Sequence, residues 1–307
     1  MPKQTQQSEH SSAATRARSD KPTVGAVMLT MGTRSDDLAR GLASLQKQQG
    51  VSLDIVVVGN AWRPTGLPRG VKTVYLPENL GIPAGRNAGV PEVSGEYLFF
   101  LDDDASLPSP DFLSSAITKF DEDAELGLLQ PRVVDPSGVT PPTRWIPRLR
   151  KGSAEDSSNV FSVWEGALLT RRDLFDAIGG WGDPYFYAHE GIELAWRVWA
   201  AQKRTWYAGD LVANHPVIQP TRHAYYYRLN ARNRVWLAKR NLPWLLVPFY
   251  PLSWLIVQHV RWLRHRQGLR DWWAGFIEGW RINPGGRRSM GWRGVWRMTR
   301  AGRFPLL

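Results

Sequence analysis

Tyr97-Leu98-Phe99-Phe100-Leu101-Asp102-Asp103-Asp104-Ala105 runs five apolar or aromatic residues into three consecutive carboxylates. A short, unbroken apolar run reads as a strand buried on both faces of a sheet. Three adjacent acids cannot enter such a core unpaired, because burying charge without a partner is costly. The strand therefore ends there, with the acids at its carboxyl-terminal edge, where open parallel sheets bind their ligands. Asp102 and Asp104 are two apart, so at an extended or tightly turned tip their carboxylates can converge on one point. A hard divalent cation bridging a diphosphate suits that pair. A solvated acidic loop is the competing reading of this stretch alone.

Upstream, Val24 to Thr30 reads as a first buried strand, broken by Gly32 and Thr33. Leu38, Leu42 and Leu45, with Ala39 alongside, recur at helical spacing, and Ser35 or Thr33 could cap that helix. Leu53 to Val58 is a second strand ended by Gly59-Asn60, and Val71 to Leu76 a third. This rhythm implies an α/β chain with parallel strands and right-handed crossovers. Asn79-Leu80-Gly81-Ile82-Pro83-Ala84-Gly85-Arg86-Asn87 follows, with Pro83 suited to the first turn of a helix. It is neither a Walker loop nor a dinucleotide fingerprint. Its glycines fit close approach to a ligand or, equally, a helix packed tightly on the sheet.

In combination, the strand ends at Thr30 and Gly59-Asn60, the Asn79–Asn87 block and Phe100 to Asp104 resemble a family 2 glycosyltransferase of the GT-A fold. The resemblance covers roughly residues 24–215, with a family-like extension to about 240. It is of the actinobacterial type with a C-terminal membrane-associated region. It implies a Rossmann-like, mostly parallel central sheet flanked by helices. It also implies inverting transfer from a nucleoside-diphosphate-sugar, in cell-wall or polysaccharide biosynthesis. The donor-binding residues it implies are Thr30, Arg34, Asn60, Asn79, Gly81, Arg86, Asn87, Asp102 and Asp103. One departure is visible: the acid that often follows the second strand and holds the nucleotide base is replaced by Gly59, and Asn60 can substitute.

Leu126 to Val133 resembles the next strand. The polar, Pro-rich span 136–158, with Arg144, Trp145, Arg148, Arg150 and Lys151, reads as a flap over substrate or a surface insertion. The acceptor half of the family resembles Trp164-Glu165-Gly166, then Gly179-Gly180-Trp181, then Tyr185 to Arg197. The implied acceptor contacts are Trp164, Glu165, Gly166 and Trp181. The family's usual catalytic Asp falls on Gly191, which cannot act as a base. Glu190 beside it can, at a helix start that favours its charge. His189 and Glu193 are the alternatives. Glu193 and Arg197 are four apart in the order that favours a helix pair, so Glu193 also has a structural reading. A lone histidine is more often structural, and His189 has that reading too. His215 is implied as a third metal ligand with Asp102 and Asp104, and imidazole suits Mn²⁺ better than Mg²⁺. His223 is a weaker candidate.

The chain has 307 residues, 43% of them hydrophobic, which suffices for one large domain with an appendage. There is no cysteine, which excludes disulfides, thiolate metal sites and a cysteine nucleophile. Residues 1–22 read as a disordered leader, neither signal peptide nor anchor, and residues 23–220 as the catalytic domain. Residues 222–307 hold 17 Lys/Arg, 2 Asp/Glu and nine of the 16 tryptophans, a net of +15, leaving −4 for the remainder. The extension over 221–307 is thus basic, Trp-rich and expected to be helical. Residues 242–260 carry no formal charge but include Pro243, Pro248 and Pro251, which argue against a straight membrane span. An interfacial or re-entrant hairpin on an anionic membrane surface fits, as does packing on the catalytic domain or a partner subunit. No nucleic-acid motif accompanies the charge, so no nucleic acid is expected. The expected setting is cytoplasmic, peripheral at the inner face of the plasma membrane, with a glycan or lipid-linked acceptor. Two other classes share these features: a non-catalytic nucleotide-sugar-binding or scaffold protein, motivated by Gly59 and Gly191, and a nucleotidyltransferase.

Overall fold

The computed structural model describes residues 21–149, 152–217, 224–262 and 266–306. Residues 1–20 of the expected leader, Arg150, Lys151 and His223 lie outside them. Eight strands form one sheet: β1 (Thr23–Thr30), β2 (Ser52–Asn60), β3 (Lys72–Leu76), β4 (Tyr97–Asp102), β5 (Leu126–Val134), β6 (Ser158–Asn159), β7 (Ala167–Arg171) and β8 (Arg204–Asn214). Their order is β3-β2-β1-β4-β7-β5-β8-β6. β7 and β6 run against the other six, β7 lying antiparallel between β4 and β5. The sheet is thus mostly parallel, and helices flank it, as the strand–helix rhythm predicts. Nine helices are described: α1 (Ser35–Gln46), α2 (Ile82–Gly89), α3 (Phe112–Glu122), α4 (Arg172–Ile178), α5 (Glu190–Ala200), α6 (Ala224–Asn241), α7 (Phe249–Trp262), α8 (Arg266–Arg281) and α9 (Gly291–Arg300).

β4 is buried on both faces. Tyr97, Phe99 and Leu101 join one cluster with Leu38, Leu42, Phe112 and Phe120. Leu98 and Phe100 join the other, with Val27, Val56, Phe175 and Trp181. Two local expectations are corrected. β2 does not stop before Gly59-Asn60, because Gly59 and Asn60 pair with Tyr75 and Leu76 of β3. Neither Ser35 nor Thr33 caps α1: Arg34 stands at the cap, with no side-chain capping bond.

The antiparallel strand positions the site. Leu101 pairs with Ala167, so the start of β7 lies beside the carboxyl end of β4. The Asp102 N–H donates to the Gly166 carbonyl at 2.9 Å. Residues arriving at β7 therefore meet residues leaving β4.

The C-terminal helices pack on α5 and on one another. α8 lies along α6 through glycines: a Cβ on Gly275 would stand 2.0 Å from the Arg228 carbonyl oxygen. Residues 242–260 divide into a 3-10 turn at Trp244–Leu246 and the 14-residue α7. At 1.5 Å per residue α7 is about 21 Å long, short of a hydrocarbon layer of about 30 Å. Among the described residues no helix is long and apolar enough to cross a membrane.

Candidate active site

A cleft of about 510 Å³ opens at the carboxyl ends of β1, β2 and β4. Its floor is Asp102, Asp103, Asp104 and His215; Thr30, Arg34, Asn60, Asn79 and Gly81 line one side, and Phe186, Tyr187, Tyr225 and Tyr226 also line it. One ligand atom from each of Asp102, Asp104 and His215 falls within 4.8 Å of the others. His215 Nε2 stands 2.9 Å from Asp104 Oδ1, while its Nδ1 faces the Pro216 carbonyl at 2.8 Å. Burial disfavours a charged ring, but without an ion Nε2–H donates to Asp104, which outweighs burial and raises His215. With a cation held there, a neutral ring donating from Nδ1 would turn its Nε2 lone pair to the ion, the second-shell arrangement of a histidine ligand. Two oxygens and an imidazole suit a divalent transition ion. This group fits such a cation.

The third acid has another task. Asp103 Oδ2 accepts from the Thr30 hydroxyl at 2.6 Å. Burial, then its flanking carboxylates, push Asp103 up to about 6 against the pull of Thr30. Burial also works against the Asp104 charge, but His215 and Arg34 outweigh it and hold Asp104 below the ordinary range. Arg34 Nη1 reaches Asp104 Oδ2 at 2.6 Å.

The Asn79–Asn87 block does three separate things. Asn60 Nδ2 donates to Asn79 Oδ1 at 2.8 Å, and Leu80 N–H donates back to Asn60 Oδ1 at 2.9 Å, shaping the turn into α2. Gly81 has φ 83° and lies so close to Phe186 that a Cβ would stand 2.4 Å from its carbonyl oxygen. Arg86, only 2% exposed, donates from Nη2 to Asp102 Oδ1 at 2.6 Å, and its Nη1 has no partner. Asn87 corrects its expected donor role: its amide is spent on the Trp181 backbone, at 2.9 and 3.0 Å, and on Asp183. Trp181 corrects its acceptor role, because it is buried edge-on against Phe100.

Gly59 stands where the resemblance has an acid. A Cβ there would lie 1.9 Å from the Trp62 carbonyl oxygen, so the turn after β2 fills that place. Trp164 presents its edge or face to His215 at 4.8 Å between ring centres, and Gly166 leaves room for the indole.

At the start of α5 the three expected catalytic candidates part. Glu193 is fully buried; Arg197 donates to its Oε2 at 3.0 Å, and Arg240 and Asn241 donate to its Oε1. Both oxygens are committed, which corrects Glu193 from a catalytic to a structural residue. His189 takes a left-handed φ of 75°, is buried, and neither ring nitrogen has a partner. Burial pushes it well below the ordinary histidine range, and it does not line the cleft. Glu190 is 3% exposed, with Oε2 unpartnered. Burial, then the neighbouring Glu165 charge, push it up to about 8. Glu165 is half-buried, and its Oε1 accepts from the Gly191 N–H at 2.8 Å.

Several residues of the site escape a reading of the sequence. Gln130, fully buried, donates to the Trp145 carbonyl at 2.8 Å and accepts from the Trp164 N–H at 2.7 Å. It sets both indoles against His215, Trp145 at 5.0 Å between ring centres. The 136–158 span is thus anchored at Trp145. Asn233 of α6, also fully buried, donates to the carbonyls of Tyr185, Tyr187 and Ala188 at 2.7 to 3.0 Å. It holds a loop in which Phe186, Ala188 and His189 all have positive φ. The aromatic run Tyr185-Phe186-Tyr187 and the triplet Tyr225-Tyr226-Tyr227 were the visible signals; Gln130 and Asn233 gave none.

Residues 27–179 match the family model described as Glycosyl transferase family 2. No curated protein matches the chain. Among solved structures it is similar to GalNAc-T7 with UDP, GalNAc and Mn²⁺: TM-score 0.63, 13% identity, 94% of this chain and 59% of that one. It is similar to the mannosyltransferase PcManGT from Pyrobaculum calidifontis with GDP-Man and Mn²⁺: TM-score 0.53, 16% identity, 86% and 77%. It is also similar to S. aureus TarS 1-349: TM-score 0.53, 16% identity, 70% and 65%. The chain spans about three fifths of the first and two thirds of the last. These likenesses establish the GT-A fold. With the family match they support a family 2 glycosyltransferase.

Proposed function

We propose that the protein is an inverting, metal-dependent glycosyltransferase of family 2. It moves a sugar from a nucleoside-diphosphate-sugar to a hydroxyl of a glycan or lipid-linked acceptor. The convergence of Asp102, Asp104 and His215 on the floor of one cleft carries this reading. Those three residues would hold the cation, and Mn²⁺ is the better match to a site containing imidazole. When bound, the cation supplies positive charge to the leaving diphosphate. Thr30 and Arg34 keep Asp103 and Asp104 in place. In this reading Thr30, Asn60, Asn79 and Gly81 wall the nucleotide side, and the Glu165–Glu190 carboxylates, behind Asp102 and Tyr187, are assigned to the acceptor. One displacement then inverts the anomeric carbon, and no covalent intermediate is required. The neighbours crystallised with UDP or GDP-Man and Mn²⁺ support this choice of donor and ion.

The setting we propose is the cytoplasmic face of the plasma membrane, within cell-wall or polysaccharide synthesis. Leu245, Phe249, Leu252, Ile256 and Val260 recur at steps of three and four, one face of α7 and the turn before it, each 48–69% exposed. The net +15 of residues 222–307 suits an anionic bilayer surface.

Asp104→Asn removes one of three ligands and should reduce sugar transfer at least 100-fold, with Mn²⁺-dependent binding of UDP or GDP lost in calorimetry. Wild-type transfer that persists in EDTA and in this variant would exclude the metal reading. The second reading, a nucleotide-sugar-binding protein without turnover, draws on Gly59, where the turn closes over an expected acid. Metal-dependent binding with no release of nucleoside diphosphate from UDP-, GDP- or dTDP-sugars would favour it.

A further inference from the structure

The first turn of α5 is hollowed out at Gly191, and a carboxylate from another part of the chain fills the hollow. A Cβ on Gly191 would stand 2.2 Å from Glu165 Oε1, and 2.6 Å from both its Cδ and the Val163 carbonyl oxygen. The Gly191 N–H is one of the donors a helix start leaves without an internal partner, and it is satisfied by Glu165. Glu165 comes from the approach to β7, next to Gly166, whose carbonyl accepts the Asp102 N–H. A side chain from the segment before β7 thus occupies the space of a missing side chain on the helix.

We propose that Glu165 is the catalytic base, taking the proton of the acceptor hydroxyl from the place a side chain at Gly191 would have filled. The two glutamates differ in access. Glu190 is 3% exposed and its Oε2 meets nothing, whereas Glu165 is half-buried with one oxygen fixed by Gly191. Arg86 is the cation among Asp102, Glu165 and Glu190, and its bond goes to Asp102. Asp102 takes the Arg86 bond and faces the cation site, so the two glutamates are left to share a proton. Burial raises both carboxyls. The more deeply buried Glu190 keeps the shared proton, and Glu165, beside the cleft residues Asp102 and Tyr187, is the one left to accept another.

The step balances as a single displacement. The acceptor oxygen forms a bond to the anomeric carbon while its O–H bond breaks. The proton passes to Glu165, and the bond from the anomeric carbon to the diphosphate oxygen breaks, its electron pair leaving with the nucleoside diphosphate. This assignment rests on the glycosyltransferase reading, and the test separates the two. Full-length chain is assayed for nucleoside diphosphate release from UDP-, GDP- and dTDP-sugars with Mn²⁺, and for UDP and GDP binding by calorimetry.

Glu165→Gln should lower kcat 100-fold or more, in the range a general base contributes, while Mn²⁺–nucleotide affinity stays within about threefold. Glu165→Asp keeps a carboxylate at the same backbone position on a shorter stem, and Gly191 is left unsubstituted because a Cβ there would also stand 2.6 Å from the Val163 carbonyl oxygen. The Asp variant should retain at least tenfold more kcat than Glu165→Gln, whereas a purely structural capping role would be served equally by the amide. Glu165→Asn matches the shape of the Asp variant without its charge and should fall as far as Glu165→Gln. Glu165→Gln turning over like wild type, or equal turnover by the Asn and Asp variants, overturns the assignment alone. A wild-type chain that binds nucleotide and turns over none of the donors overturns the enzymatic reading and this assignment with it.

Discussion

Glu190 is a carboxyl that folding protonates. Burial first, then the charge of Glu165, raise it from an ordinary 4.5 to about 8. The groups facing it are Glu165 before β7, Arg86 of α2, Asp102 of β4 and Tyr187 of the preceding loop. Because the folded value lies above the unfolded one, the associated stability is complete below about pH 4.5. It is lost as pH rises through about 8. The unfolding free energy in urea should therefore fall between pH 5 and pH 8.5, and Glu190→Gln should flatten that slope. An unchanged slope in the variant would show that Glu190 is already ionised in the native state. At this scale the sequence was informative where chemistry is local. Asp102 and Asp104 end an apolar run, so their place at a sheet edge follows from the cost of burying charge. The meeting of Glu165 with Gly191 was not legible, because a glycine records only that a side chain is missing, never what fills the gap. Glu193 offered a pair with Arg197 at helical spacing, but the second arginine, Arg240, comes from another helix.

α6 shows how an element can read as surface and fold as core. Arg232-Asn233-Arg234 looks like part of a basic tail, yet Asn233, Arg234, Arg240 and Asn241 are all buried. Apolar periodicity reports burial only when the buried face is apolar. Here the partners are backbone carbonyls of a distant loop and the Glu193 carboxylate, which no window of sequence contains. β4 was the opposite case: its unbroken apolar run belongs to a strand covered on both faces, and it is one. The role of α6 can be tested at Asn233. Asn233→Leu removes the side-chain donor of the Tyr187 and Ala188 carbonyls, while that of Tyr185 keeps Arg232, at a cost of about 1–3 kcal/mol. The same change releases a loop held at positive φ, so nucleotide affinity should fall severalfold because Phe186 and Tyr187 line the cleft. Loss of stability in urea with wild-type nucleotide affinity would mean that the loop holds its shape without α6.

The molecule as a whole is polarised by charge: all of its excess positive charge lies in residues 222–307, a region whose helices also expose large apolar side chains. Composition revealed the polarity; which apolar residues turn outward could not be read from it, since Tyr250 and Trp272 of the same region are buried. If the exposed row on α7 lies on a bilayer, Ile256→Glu with Val260→Glu should reduce co-sedimentation with anionic vesicles at least tenfold. Melting temperature should stay within a few degrees, because both side chains are 65–69% exposed. Equal binding by the variant, or equal binding to neutral vesicles, would remove α7 and its arginine-rich neighbours from that role. The reversed strand has a consequence for how the chain is assembled. β1 to β4 are complete once Asp102 has emerged, but β4 gains its second neighbour only when Ala167–Arg171 arrives, and His215 comes later still. Contacts between such distant segments are slow to form, since the intervening chain must first be closed into a loop. The nucleotide side of the cleft is therefore synthesised as a half-sheet with an open edge at β4, and the cation site is among the last parts of the fold to close.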